Sequence, residues 1–312
     1  MNRNSEIFRN ARHGLKAAAA ALLLAGLAQA ADSGSAASDW YPFVSVDPTD
    51  PGLIGMNDWL EAPAGKRGRV TRVGDELRYG GEPFRIWGVN NTFLACAPEK
   101  ELAKRRAAFY AKYGINSVRL HKYADGSGYR GILAEQSFAR FDPEGLDRMD
   151  HYIAQLASRG IYVKLSPSFG PPVLGKADLE RVPFLEEFGT FESDDDFVQV
   201  SHSAIFYSPE IQAVHIEQMV NLLQHFNPYS NLRYADDPAI WDIEIVNEQS
   251  ILFYTSPFPL EKSPTLRRQV GRRFSDWLIE RYGDQAGLEA AWGEAALNSF
   301  ELAKNERLAD GT

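Results

Sequence analysis

The 312-residue chain is 44% hydrophobic and carries 33 basic against 42 acidic residues, a formal net charge of −9. That apolar content suffices for a large core and excludes an intrinsically disordered chain, while the acidic balance argues against a polyanionic partner such as nucleic acid. The single cysteine, Cys96, excludes an internal disulfide, and six histidines without zinc-type pairing or a Cys-x-x-Cys give no metal centre, so neither metal nor cofactor is expected.

Residues 1–30 have the pattern of a secretory signal peptide. Arg3, Arg9, Arg12 and Lys16 precede the apolar run Ala17 to Leu27, and Ala28-Gln29-Ala30 has the small-x-small form of a cleavage site. The run is too short to span a bilayer, and no second long apolar segment is present. The expected product is exported, periplasmic or extracellular, with no stable membrane insertion after cleavage. Cleavage would remove four basic residues and one acidic one, Glu6, taking the net charge from −9 to −12.

Residues 31–67, rich in Ser, Asp, Pro and Gly, read as a linker and irregular lead-in. Arg69 to Val73, the turn Gly74-Asp75 and Glu76 to Tyr79 predict a hairpin lying across the floor of a barrel. Phe84 to Asn90 is expected as the first strand of a repeating unit: apolar strand, polar loop, amphipathic helix, glycine stop. Pro98 and Gly114 bracket the first helix, and Ile115 to His121 is the second strand. Its helix opens at Asp142-Pro143, buries Leu146, Met149, Ile153 and Leu156, and stops at Gly160. Ile161 to Ser166 is the third strand. After a long insertion, 167–208, the third helix starts at Pro209 and presents Met219, Val220, Leu223 and Phe226. The fourth strand starts near Ala239, because Pro238 cannot sit in a central ladder, and runs to Glu248. Its helix carries Leu266, Val270, Phe274, Leu278 and Tyr282 on one face, with Gly283 after it.

Alternating strands and helices imply a parallel sheet, with consecutive strands as neighbours. The fold class is therefore α/β, of (β/α)8 barrel type, with residues 68–312 supplying the first four βα units behind a short β-hairpin lead-in.

The fourth strand is the informative one. One parity carries Ile240, Asp242, Glu244, Val246 and Glu248, a mixture suited to a barrel interior that turns polar toward its mouth; the other carries Trp241, Ile243, Ile245 and Asn247. Glu248 then closes the strand at the end where such barrels keep their chemistry. Glycosidic cleavage needs a carboxylic acid to protonate the leaving oxygen, and an adjacent asparagine can hold a sugar hydroxyl such as the 2-OH. Glu244, below Glu248, is expected to be held by an interior partner. Arg119 and His121 share a parity and are expected to face the interior. For His121 two readings stay open, a sugar contact or a hydrogen-bonded interior histidine. Tyr123 and Tyr129 could stack on sugar, as could Phe253 and Tyr254 beyond Glu248, for which ordinary packing of a proline-rich loop is the alternative. Gly126-Ser127-Gly128-Tyr129-Arg130-Gly131 matches G-x-G-x-x-G but lacks the strand before it and the helix after it that nucleotide binding needs; it reads as a substrate-side loop. Glu192 to Asp196 reads as a solvated acidic turn.

Across residues 66–300 the sequence resembles the clan-A glycoside hydrolases, nearest family 5. The resemblance lies in the strand ending Asn247-Glu248 and its approach from Asn227-Pro228 to Asp237-Pro238. It continues in Phe84 to Asn90 and Asn116 to Leu120 as first and second strands, and in Tyr282-Gly283 with Ala291-Trp292-Gly293 afterwards. It implies a retaining hydrolase of β-linked glycans (β-mannan, β-glucan or β-galactan), with an oligo- or polysaccharide as partner. Glu248 would be the acid/base, Asn247 would lie on the 2-OH, and Arg119 would orient a nucleophilic glutamate on the seventh strand, beyond this chain and about 5 Å from the acid. Asn90 would support the site. The third strand departs from the family pattern, with Ser166-Pro167-Ser168 where family 5 often has a histidine. The alternative expectation is a non-catalytic carbohydrate-binding protein or an inactive half-barrel, since no second catalytic carboxylate is identifiable here.

Overall fold

A computed structural model describes residues 48–134, 136–169, 172–190, 197–293 and 308. The expected signal peptide, residues 31–47 of the lead-in, and the acidic run Glu192 to Asp196 lie outside the described residues.

The hairpin forms as β1 (Thr71–Val73) and β2 (Glu76–Tyr79), extended by the short β3 (Glu82–Pro83). The parallel sheet comes next: β4 (Gly88–Thr92), helix α1 (Lys100–Lys112), β5 (Ser117–His121), α2 (Pro143–Ala157) and β6 (Tyr162–Ser166). The segment before the next helix contains an antiparallel pair, β7 (Val173–Gly175) and β8 (Phe197–Gln199). Helix α3 (Pro209–Gln224), a two-rung ladder of β9 (Phe226–Asn227) and β10 (Leu232–Arg233), and β11 (Ile240–Ile243) complete the sheet. Helices α4 (Pro264–Tyr282) and α5 (Gln285–Trp292) come last. The sheet order is β11-β6-β5-β4, every pairing parallel, so successive strands are neighbours. Among the described residues β4 and β11 each pair on one side only.

Three of the helices start with the same device. Asp142, Ser208 and Ser263 each accept a hydrogen bond from the backbone three residues on, at 2.6, 3.1 and 3.1 Å, and each is followed by a proline at the first helical position. The side-chain oxygen satisfies an otherwise orphaned donor, and proline gives up an N–H that had no partner there.

Register fixes what each face of the sheet carries. Val118, Leu120, Val163 and Leu165 are buried in the main core with Ala103, Ala107, Met149, Ile153 and Leu156 of the covering helices. The opposite face is polar: Asn90 aligns with Arg119, Arg119 with Lys164, Lys164 with Asp242, and His121 with Ser166. Beneath it the hairpin seals an aromatic floor. Tyr162 lies edge-on to Tyr79 at 5.6 Å and to Phe84 at 5.0 Å, and the Trp241 indole donates to Ser117 Oγ at 3.1 Å. Gly65, at φ +79°, donates its N–H to Tyr162 Oη at 3.0 Å, and a Cβ there would stand 2.6 Å from Pro238 Cγ, so only glycine fits.

Several boundaries differ from the sequence reading. The first strand starts at Gly88, not Phe84, because Phe84 turns into the floor. The fourth stops at Ile243, after a register irregularity between Ile240 and Asp242, so Glu248 stands five residues past its end. On α3 the buried stripe is Ile211, Val214, His215, Gln218, Met219 and Leu222; Val220 is exposed and Phe226 has left the helix for β9. Helix α4 is covered mainly near its ends, by the main core at Leu266 and by Leu288 at Leu278, which leaves Phe274 exposed between them.

Candidate functional site

The polar face of the sheet gathers into one network at its C-terminal end. Arg119 on β5 donates through Nη2 to Glu244, to Asn247 Oδ1 and, at 3.1 Å, to Ser166 Oγ. Lys164 on β6 pairs with Asp242 at 2.9 Å and approaches Glu244 at 3.5 Å. Ser166 Oγ lies 2.5 Å from Glu244 and 2.8 Å from His121 Nδ1. Two cations and two carboxylates therefore cancel within a half-buried patch.

The electrostatics follow from these contacts. Burial alone would raise the Glu244 carboxyl, but hydrogen bonds from Ser166 and Arg119, with the charges of Arg119 and Lys164, outweigh it and hold the group below its ordinary value. His121 is 5% exposed; burial, then the nearby Arg119 and Lys122 charges, push it down to about 4, against a smaller opposing effect of Glu244. It is a neutral imidazole at physiological pH.

The stretch after β11 is pinned from both sides. On the strand side, Glu244 N donates to Leu165 O at 2.8 Å, continuing the ladder for one residue. On the helix side, His215 of α3 holds the carbonyl of Ile245, Nε2 to O at 2.9 Å. A carbonyl only accepts, so this nitrogen carries the proton and the buried Nδ1 is left without a partner. Asn247 is next, 4% exposed, with Oδ1 on Arg119 and a buried Nδ2 that meets no protein acceptor. Glu248 then adopts φ +50°, a region costly for a residue with a Cβ, and its side chain is exposed. Among the described residues it makes no hydrogen bond or ion pair.

The structure thus brings Arg119, Asn247, His121 and Glu244 together, with Asn90 on the same face as an exposed register neighbour of Arg119. Glu248 sits at the end of the pinned turn instead of on the strand itself. Phe253 and Tyr254 lie on the surface beyond it, their rings 4.9 Å apart and Tyr254 74% exposed. Tyr123 is a correction. It is fully buried, in the main core with its carbonyl bonded to Ile132 N, and cannot face a ligand. Its chain neighbour in the glycine-rich loop, Tyr129, is 78% exposed. That loop carries a short 3-10 turn, Gly128–Arg130, and borders a cavity of about 680 Å³ whose lining includes Arg140 and Arg148 but none of the network residues. Sequence reasoning placed Asp242 on the interior face without naming a partner, and passed over Lys164 and His215. Lys164 was detectable as a charge inside an otherwise apolar strand; His215, which shares its buried helix stripe with Gln218, gave no comparable signal.

No family model matches the chain. Among curated proteins, mannan endo-1,4-β-mannosidase 7 of Arabidopsis thaliana is 25% identical over 281 residues, spanning 84% of this chain and 57% of that protein. Mannan endo-1,4-β-mannosidase 2 of Oryza sativa subsp. japonica is 28% identical over 184 residues, spanning 57% and 39%. The chain is similar in sequence to these mannan endo-1,4-β-mannosidases. It spans about half the length of the curated mannosidases it matches. Among solved structures, an endo-1,4-β-mannanase from Rhizomucor miehei aligns with TM-score 0.42 and 19% identity over 68% of this chain and 58% of that one. A glycoside hydrolase family 5 mannosidase from the same organism aligns with TM-score 0.41 and 14% identity over 68% and 53%.

Proposed function

We propose that the chain is the first half of an exported (β/α)8 barrel that hydrolyses β-mannan with retention of configuration. The observation that carries this reading is the turn after β11, where Arg119 and His215 fix the backbone and Asn247 while Glu248 stays exposed and unpaired. A general acid must reach a substrate oxygen, and a carboxylate already in an ion pair is a poor donor. Asp242 and Glu244 are both matched by cations, so Glu248 is the carboxyl of this face free to take the role. Glu248 protonates the leaving oxygen and then deprotonates the attacking water, and Asn247 Nδ2, buried without an acceptor, donates to the sugar 2-OH. Asn90, Phe253 and Tyr254 contribute to the surrounding surface. The nucleophilic carboxylate belongs to the seventh strand of the closed barrel. The mannanase relatives favour β-mannan over β-glucan or β-galactan.

The test is Glu248→Gln in the complete protein assayed on β-mannan. Loss of general acid–base catalysis should lower kcat by about 10²- to 10⁴-fold. Activity within a few-fold of wild type would remove Glu248 from the mechanism. A second reading, binding without hydrolysis, is favoured by one fact: retention needs two working carboxylates and this face offers one. It predicts that the chain retains mannohexaose and releases no reducing ends from it.

A further inference from the structure

Ser166 lies at the centre of the polar network and has no role in the proposed mechanism. Its hydroxyl has one proton and three polar neighbours: Arg119 Nη2 at 3.1 Å, His121 Nδ1 at 2.8 Å and Glu244 Oε2 at 2.5 Å. A guanidinium only donates and an ionised carboxylate only accepts, so the hydroxyl proton goes to Glu244 and the oxygen receives from Arg119. The same oxygen must then receive from His121, which places the imidazole proton on Nδ1. A neutral ring has one N–H, so Nε2 is left as a bare lone pair with no protein partner among the described residues.

We infer that Ser166 is a positioning residue that locks His121 in the Nδ1–H tautomer, so that Nε2 receives a hydrogen bond from a ligand hydroxyl. The inference rests on the carbohydrate reading for the identity of the ligand, and on the geometry alone for the tautomer. An acceptor nitrogen selects a hydroxyl donor and repels a carboxylate, because two lone pairs would face each other. The site therefore favours neutral sugars over uronates at this position, a preference set through Ser166 by the Glu244–Arg119 pair.

The test is ¹⁵N NMR of imidazole-labelled protein at neutral pH, with His121 assigned by difference from His121→Gln. Wild type should show a protonated Nδ1 and an unprotonated Nε2; a protonated Nε2 overturns the inference. In Ser166→Ala the Nε2–H form should become populated, and Ser166→Thr, which keeps a hydroxyl, should restore the wild-type pattern. An unchanged tautomer in the alanine variant would take Ser166 out of the role. Adding mannohexaose should shift the His121 Nε2 resonance. A hexaose that moves other resonances and leaves Nε2 in place overturns the acceptor role. If no resonance of the protein moves, the mannan reading fails and with it the ligand half of the inference, while the tautomer result stands on its own.

Discussion

Glu244 and His121 react oppositely to burial, and the network uses both. The carboxylate is kept charged by its donors, while the imidazole is kept neutral by desolvation and by Arg119 and Lys122. Each has a folded value below its ordinary one, so the unfolded chain binds more protons than the native one in the window between the two values. Stability then falls as pH falls. For His121 the loss runs from about 6.5, its ordinary value, down to about 4; for Glu244 it begins near the ordinary carboxylate value of 4.5 and continues below it. The expected outcome is a urea midpoint that is flat above pH 7 and declines from pH 6.5 to 4. In His121→Asn the upper part of that decline should be shallower, though His151, His202 and His215, also lowered by burial, keep it from vanishing. A wild-type midpoint that rises on acidification would contradict the lowered values of both groups. At this scale the sequence was partly legible. Arg119, Asn247 and Glu244 stood out because charged or amide groups in an apolar strand need partners, but the pairing itself depends on neighbours 47 to 128 residues away. Tyr123 was misjudged for the converse reason. Its position in a polar, glycine-rich loop suggested exposure, and the loop instead folds back so that Gly131 packs against the Tyr123 carbonyl.

Among the elements, helix starts were the most legible. Asp-Pro and Ser-Pro pairs act locally, so Pro143 and Pro209 mark helix starts in the sequence and the structure alike. Strand ends were not local: β11 stops at Ile243 because the ladder to β6 runs out after Glu244, a fact about the partner strand. The caps also differ in what else they hold. Ser208 Oγ adds a bond to Glu210 within its own helix, whereas Ser263 Oγ donates to Glu187, half-buried and also held by Thr265 from α4. Ser208→Ala should cost about 1 kcal/mol, the usual value of a cap. Ser263→Ala should cost about 2 kcal/mol, because its carboxylate, Glu187, is a tertiary partner 76 residues away that the cap ties to the helix, whereas Glu210 lies on the helix that Ser208 caps. Chemical denaturation of the two variants decides it; equal losses would mean that Glu187 contributes nothing beyond the cap.

For the whole molecule, the sequence conveyed the layer order and strand sequence because both follow from alternation and glycine stops. Closure was not readable, since no local pattern reports it. Among the described residues the sheet has a one-sided strand at each edge, and Trp59, Ile86 and Trp87 lie exposed near the β4 side. Unpaired ladder groups beside apolar surface invite association. Expressed as these 312 residues, the chain should self-associate with rising concentration in sedimentation velocity. A single monomeric species at all concentrations would show that its edges are covered in some way the sheet order does not reveal.

The cancellation of Arg119 and Lys164 by Asp242 and Glu244 has a further consequence. Alternating charges a few ångströms apart produce a field that dies within a side chain's length, well inside the Debye length of about 10 Å at 0.1 M salt. These four groups, Glu248 apart, neither attract nor repel at range. They discriminate by contact, through fixed donors and acceptors, and counter-ions have little to screen. A polymer without charge would be met equally well in fresh water and in brine.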